Sequence, residues 1–140
     1  MTLLDDAIDE NDETLNITLS NPSNSTILDG SSVVTITDND AVPQLSINNV
    51  STTEAGTLTY TVTLSAASGK NITFDWASSN GTATAGSDYT SASGTTATIL
   101  AGSTTTSINI TTLADILSES TETLTVTISN PTNSTISTAV

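Results

Sequence analysis

Leu58-Thr59-Tyr60-Thr61-Val62-Thr63-Leu64 alternates apolar and polar residues without a break. Side chains on an extended strand point to opposite faces in turn, so Leu58, Tyr60, Val62 and Leu64 line one buried face and the threonines face water. Threonine is β-branched and suits such a half-exposed pleat. The same period extends outward from this stretch. Leu15, Ile17 and Leu19 alternate with Asn16, Thr18 and Ser20, and Val33–Thr37 is a short strand. Leu45 and Ile47 begin another, and Ile72, Phe74 and Trp76 follow. Ala97–Leu100, Ser107–Thr112 and Leu124, Val126, Ile128 complete the set. Turn-forming residues separate these runs, as in Ala66-Ala-Ser-Gly-Lys70, Ser79-Asn-Gly-Thr82, Ala101-Gly-Ser103 and Asn130-Pro-Thr-Asn133. No stretch keeps a helical period. The pattern predicts an all-β, Ig-like antiparallel β-sandwich with about seven strands per repeat.

The chain also repeats itself. Asp6-Ala-Ile-Asp-Glu-Asn-Asp-Glu-Thr-Leu-Asn-Ile-Thr-Leu-Ser-Asn-Pro-Ser-Asn-Ser-Thr-Ile27 returns as Asp115-Ile-Leu-Ser-Glu-Ser-Thr-Glu-Thr-Leu-Thr-Val-Thr-Ile-Ser-Asn-Pro-Thr-Asn-Ser-Thr-Ile136, an offset of 115 − 6 = 109 residues. That period is one sandwich domain and too long for a solenoid turn. The expected division is residues 1–40 as the C-terminal part of one repeat, 41–44 as a linker stiffened by Pro43, and 45–140 as a second repeat lacking its last strand. A return of residues 1–40 into that vacant position within one chain is not expected. The poles of a sandwich lie roughly 30 Å apart, and Ala41–Gln44 spans about 14 Å at most.

Composition restricts the function. With 15 acidic residues against one basic residue, Lys70, the 140-residue chain carries a net charge of −14. Such a chain repels nucleic-acid phosphate and anionic membrane surfaces and favours cations. It has no Cys and no His, which removes disulfides, thiolate metal sites and the commonest general base. No run reaches the length of a membrane span, and the N-terminus lacks the basic region and cleavage site of a signal peptide. An exported parent would therefore carry its signal outside this window.

The chemistry lies in carboxylates. Asp5, Asp6, Asp9, Glu10, Asp12 and Glu13 place six acids within nine residues, just before a strand. Such charges repel one another unless neutralised. Calcium, which takes six to eight hard oxygen ligands in flexible geometry, suits such a loop better than magnesium. From this cluster alone, a solvated acidic loop and a calcium site are equal readings. Asp38-Asn-Asp40 ends the strand that should run antiparallel to Leu15–Ser20, so both acidic knots are expected at one end of a sandwich, which favours calcium.

Gly81-Thr-Ala-Thr-Ala-Gly-Ser-Asp-Tyr89, Ala101-Gly-Ser103, Glu119-Ser-Thr-Glu-Thr-Leu124 and Ile128-Ser-Asn-Pro131 resemble the Calx-β domain family. In the first copy Asp5-Asp6, Glu10, Glu13-Thr-Leu15 and Thr35-Ile-Thr-Asp-Asn-Asp40 are similar too. The family occurs in sodium/calcium exchangers and, as long arrays, in bacterial and cyanobacterial surface proteins. The resemblance implies a seven-stranded Ig-like sandwich with calcium at the distal loops. It assigns metal positions to Asp5, Asp6, Glu10, Glu13, Asp38 and Asp40 in the first copy, and to Glu54, Asp88, Asp115, Glu119 and Glu122 in the second. The second set is expected to bind more weakly, because Ala114 replaces the first acid of the pair and Asp9 and Asp12 become Ser118 and Thr121.

Other signals have plainer readings. Trp76 and Tyr89 offer surfaces for sugar stacking, but Trp76 shares its parity with Ile72 and Phe74 and belongs to the core. Glu119 and Glu122 lack the aromatic cleft and cationic support of a glycosidase. The threonine-rich stretch 104–112 reads as the wet face of a sandwich rather than an ice-binding array. Sequons such as Asn16-Ile-Thr, Asn71-Ile-Thr and Asn109-Ile-Thr arise readily in so threonine-rich a chain. The expectation is a non-enzymatic, calcium-binding, extracellular structural or adhesive module, secreted or at the cell surface. Its partners are adjacent repeats, other copies of the chain, or a cell-surface or glycan target, with neither nucleic acid nor membrane insertion. The alternatives are a filament subunit joined by strand complementation between chains, and a carbohydrate-binding module.

Overall fold

The computed structural model describes residues 2–116 and 118–137. Met1, Leu117 and the last three residues of the expected second repeat, through Val140, lie outside the described residues. The described chain is all-β and contains no helix. Its strands are β1 (Glu13–Thr18), β2 (Ser31–Ile36), β3 (Gln44–Ile47), β4 (Thr57–Leu64) and β5 (Ile72–Asn80). They are followed by β6 (Thr95–Ile99), β7 (Thr105–Thr111), β8 (Leu124–Thr132) and β9 (Thr135–Ile136).

Seven of these strands build a sandwich from two sheets, ordered β7-β4-β3-β9 and β6-β5-β8. The alternating residues supply the layer between them. Leu58, Tyr60, Val62 and Leu64 of β4, with Leu45, Ile108 and Ile110, meet Ile72, Phe74 and Trp76 of β5, with Ile99 and Ile128. Val62, Ile72 and Phe74 are fully buried. Each such side chain contributes about 1.5–3 kcal/mol relative to exposure. Tyr89 is 1% exposed and Trp76 is 7% exposed, so both serve the core and leave the sugar-stacking reading without a surface.

Residues 13–36 form a separate two-stranded sheet. β1 and β2 pair antiparallel with Leu15 opposite Val34 and Ile17 opposite Ser32. They do not join the sandwich sheets, as the short linker reach requires.

Three local features differ from the sequence pattern. β5 continues four residues past Trp76, to Asn80, because β8 pairs with it as far as Asn80–Leu124. Asn130-Pro131 does not end β8. It forms a bulge, shifting the β5–β8 register between Thr73 and Asp75. Asn130 takes a φ of 48°, which asparagine tolerates, and its side-chain amide donates to Asp75 Oδ2 at 3.0 Å. The proline, which cannot donate to a ladder, sits where the ladder is already interrupted. Finally, the sandwich is not wholly antiparallel: β9 crosses to the opposite sheet and runs parallel to β3, pairing Gln44 with Thr135 and Leu45 with Ile136.

Candidate metal centre

The acidic residues converge on two hollows. The larger, about 740 Å³, opens at one end of the sandwich and is lined by Glu54, Asp88, Asp115, Glu119 and Glu122. Leu58, Tyr60, Ala83, Tyr89 and Leu124 also line it. All five acids assigned to the second copy therefore share one site.

The loop after β5 explains how Asp88 is held. Asn80 Oδ1 accepts the Tyr89 hydroxyl at 2.7 Å and the Ala85 amide at 3.0 Å. Asp88 Oδ2 accepts the Thr84 amide at 2.6 Å, and the Asp88 carbonyl accepts the Leu113 amide at 2.9 Å. The Gly81–Tyr89 motif is thus a folded loop that fixes one carboxylate by its own backbone. Gly81 is needed because a Cβ there would run into the Thr123 carbonyl. Thr123 lies just before β8, and its amide donates to the Thr82 hydroxyl at 2.8 Å, which holds the segment carrying Glu119 and Glu122 beside the Asp88 loop. The Ala83 amide also donates to the Thr123 carbonyl, at 2.9 Å.

Oxygens of Asp88, Glu119 and Glu122 lie within 4.8 Å of one another. Ligands on opposite sides of calcium stand about 4.6–5.2 Å apart, twice the Ca–O distance. The donors are hard oxygens on loops, and the chain has no His or Cys to recruit a softer metal. The residues therefore fit calcium. Their electrostatics record the crowding. Glu119, though exposed, has its carboxyl raised chiefly by the charge of Asp115, then by reduced hydration and by Asp88 and Glu54. Glu122, also exposed, is raised chiefly by reduced hydration of its carboxylate, then by the charge of Asp88 and a hydrogen bond with it. A bound cation relieves this repulsion.

The smaller hollow, about 80 Å³, lies between the loop before β1 and the loop after β2. Asp5, Asp6, Glu10, Glu13, Asp38 and Asp40 line it, so the six first-copy positions also share one place. Carboxylates tie the two loops together. Asp38 Oδ2 accepts the Glu10 amide at 3.0 Å, and Asp12 Oδ1 accepts the Asp38 amide at 3.0 Å. Asp40 is raised by partial burial first, then by Asp38, Asp5, Asp6 and Asp9. The sequence ranks this set above the second. In geometry the closer grouping is Asp88, Glu119 and Glu122, the triad within 4.8 Å among the described residues.

Sequence reasoning missed the role of Asp9. It is 2% exposed, and its Oδ1 lies 2.9 Å from Lys70 Nζ. The available signal was that Lys70 is the one base in the chain, so any buried ion pair must use it.

No helix of the described residues is long and apolar enough to cross a membrane. The crystal structure of CBD12 from CALX1.2 is similar to this fold, with a TM-score of 0.54 and 22% sequence identity over 91% of this chain and 52% of that one. This chain thus spans about half the length of that structure. No curated protein sequence matches the chain significantly. The Calx-beta domain family model matches residues 1–40 and again 41–139. With the two-sheet sandwich and both matches covering nearly all of its length, the chain belongs to the Calx-beta domain family.

Proposed function

We propose that the chain is a calcium-binding, non-catalytic module of an extracellular tandem array, in which the ion neutralises acidic loops at module ends and stiffens one module against the next. The observation that carries this reading is the closure of Asp88, Glu119 and Glu122 to within 4.8 Å, with Glu54 and Asp115 around the same hollow. The 109-residue recurrence supports a repeated module, and the net charge of −14 supports a cation as its ligand. Extracellular calcium modules bind at about 10⁻⁴–10⁻³ M, and this module belongs in that range. An ion that binds only the folded state raises stability by about 1.4 kcal/mol at about ten times its Kd, the excess that millimolar calcium gives at the tight end of that range. The expected result is therefore a higher melting midpoint in millimolar calcium than in chelator, followed by Trp76 fluorescence. An unchanged midpoint removes the calcium reading and leaves the fold as described.

A second reading is assembly between copies. β8 stands at the edge of its sheet, and β1, which pairs with β2, has nearly the same sequence as the start of β8. β2 of another copy therefore matches that edge. Sedimentation tests it: a monomer at micromolar concentration removes strand exchange, and a concentration-dependent series of oligomers supports it.

A further inference from the structure

We propose that Asp9, Ser68 and Lys70 form a clasp that fixes the acidic loop of residues 1–40 against the second sandwich without any bound cation.

The clasp joins positions 59 and 61 residues apart in sequence. Asp9 Oδ1 meets Lys70 Nζ at 2.9 Å, and Asp9 Oδ2 accepts the Ser68 hydroxyl at 2.9 Å. The same hydroxyl lies 3.0 Å from the Asp9 carbonyl, which also accepts the Gly69 amide at 2.9 Å. Both carboxylate oxygens and the carbonyl are thus answered by the β4–β5 turn. Asp9 is 2% exposed and Ser68 is 1% exposed. A charge so enclosed is tolerated only with a partner, and removal of one member leaves the other stranded.

The surroundings fit a built contact. The Glu10 side chain packs on Gly69 so closely that a Cβ there would lie 2.9 Å from Glu10 Cγ. The Ser68 carbonyl accepts the Gly102 amide at 2.8 Å, which ties the receiving turn to the β6–β7 turn of the sandwich. Asp9 does not line the smaller acidic hollow, so its carboxylate is not among the candidate ligands there, although its charge is felt at Asp40. The repeat offset places Ser118 at the position of Asp9 in the second copy, so the clasp marks this junction alone within the chain.

The chain has no cysteine, so spin labels can be attached to cysteines introduced at exposed Ser23 and Thr59, one on each side of the junction. In chelator, the unmodified clasp gives one narrow distance distribution. Lys70→Met and Asp9→Asn each broaden it about twofold or more, because the first leaves the buried Asp9 carboxylate without its cation and the second leaves the half-buried Lys70 ammonium without its anion. The double variant is no broader than either single one, as coupled residues require. Thermal melting followed by Trp76 fluorescence verifies that each variant retains a folded sandwich. A broad distribution for the unmodified clasp in chelator, whether or not calcium then narrows it, would overturn the proposal, since the clasp alone would not fix the junction. A narrow distribution in folded Lys70→Met would overturn it too. Neither result depends on whether calcium binds the acidic hollows.

Discussion

β1 and the first part of β8 carry nearly the same residues, and their apolar side chains meet different fates. Thr14-Leu-Asn-Ile-Thr-Leu19 recurs as Thr123-Leu-Thr-Val-Thr-Ile128. Both form strands with an antiparallel neighbour. Yet Ile128 is 8% exposed, whereas its counterpart Leu19 is 63% exposed and Ile17 is 45% exposed. The local sequence determines strand and facing. Burial requires an opposite layer, which the sheet of β7, β4, β3 and β9 provides for β8 and nothing described provides for β1. Apolar alternation is thus a statement about which face can be buried, and the stabilisation appears only where a second sheet closes over it.

The largest expected effect tests this contrast directly. Ile128→Ala should cost about 2–5 kcal/mol, the usual loss for truncating a buried isoleucine. Leu19→Ala, at the equivalent position, should cost about 0.5 kcal/mol or less, as exposed substitutions do. Urea unfolding of the two variants measures both. Equal costs would break the comparison and mean that β1 is buried as deeply as β8.

A second pair sharpens the comparison between hollows. Glu122 and Glu13 occupy the same place in the repeat, at the 109-residue offset. Glu122→Gln removes a member of the triad within 4.8 Å and should abolish most of the calcium-induced rise in melting midpoint. In chelator it should raise the midpoint slightly, because one repelling charge is gone. Glu13→Gln should leave most of the calcium effect in place. The reverse ranking would identify the first hollow as the stronger site, the order that charge density in the sequence favours.

The smallest effect is in pH. The raised carboxyls of Glu119, Glu122 and Asp40 bind protons more readily in the folded state than in the unfolded chain. Their contribution is therefore fully present below their ordinary values, 4.5 for Glu and 3.8 for Asp, and is lost as pH rises through the raised ones. Asp75 runs the other way. Hydrogen bonds from Asn130 and then Thr96 hold it low, so its contribution is present above 3.8 and is lost as pH falls through the lowered value. Above these ordinary values Asp75 is charged in both states and the raised group dominates, so the midpoint in chelator should rise modestly as pH falls from about 7 toward 4.5. With calcium the trend should reverse, because protons compete with the ion for the same oxygens. Melting across that range with and without calcium checks both signs.

Much of the fold was legible in single residues. The parity of Trp76 with Ile72 and Phe74 placed it in the core, and Gly81–Tyr89 marked the loop that holds Asp88. The bulge at Asn130 was not legible, since Asn-Pro reads as a turn wherever it occurs. Only pairing of β8 with both sides of the interruption makes it a bulge. The two acidic sets were legible as sets, because clustered charge is visible along the chain. Their relative compactness was not, since Asp88 and Glu122 lie on segments tied together by the hydrogen bonds of Thr123 with Thr82 and Ala83, which the sequence does not display.

The sequence by itself determined the β-class, the apolar face of each strand, the repeat period and the cation-seeking charge, because these follow from alternation, recurrence and composition. Only the tertiary structure decided that Asp9 would bind Lys70, that β9 would run parallel to β3, and that Asp88 would close on Glu119 and Glu122. Those outcomes depend on which distant segments are brought within a few ångströms, and the closing of two sheets over one core sets that distance.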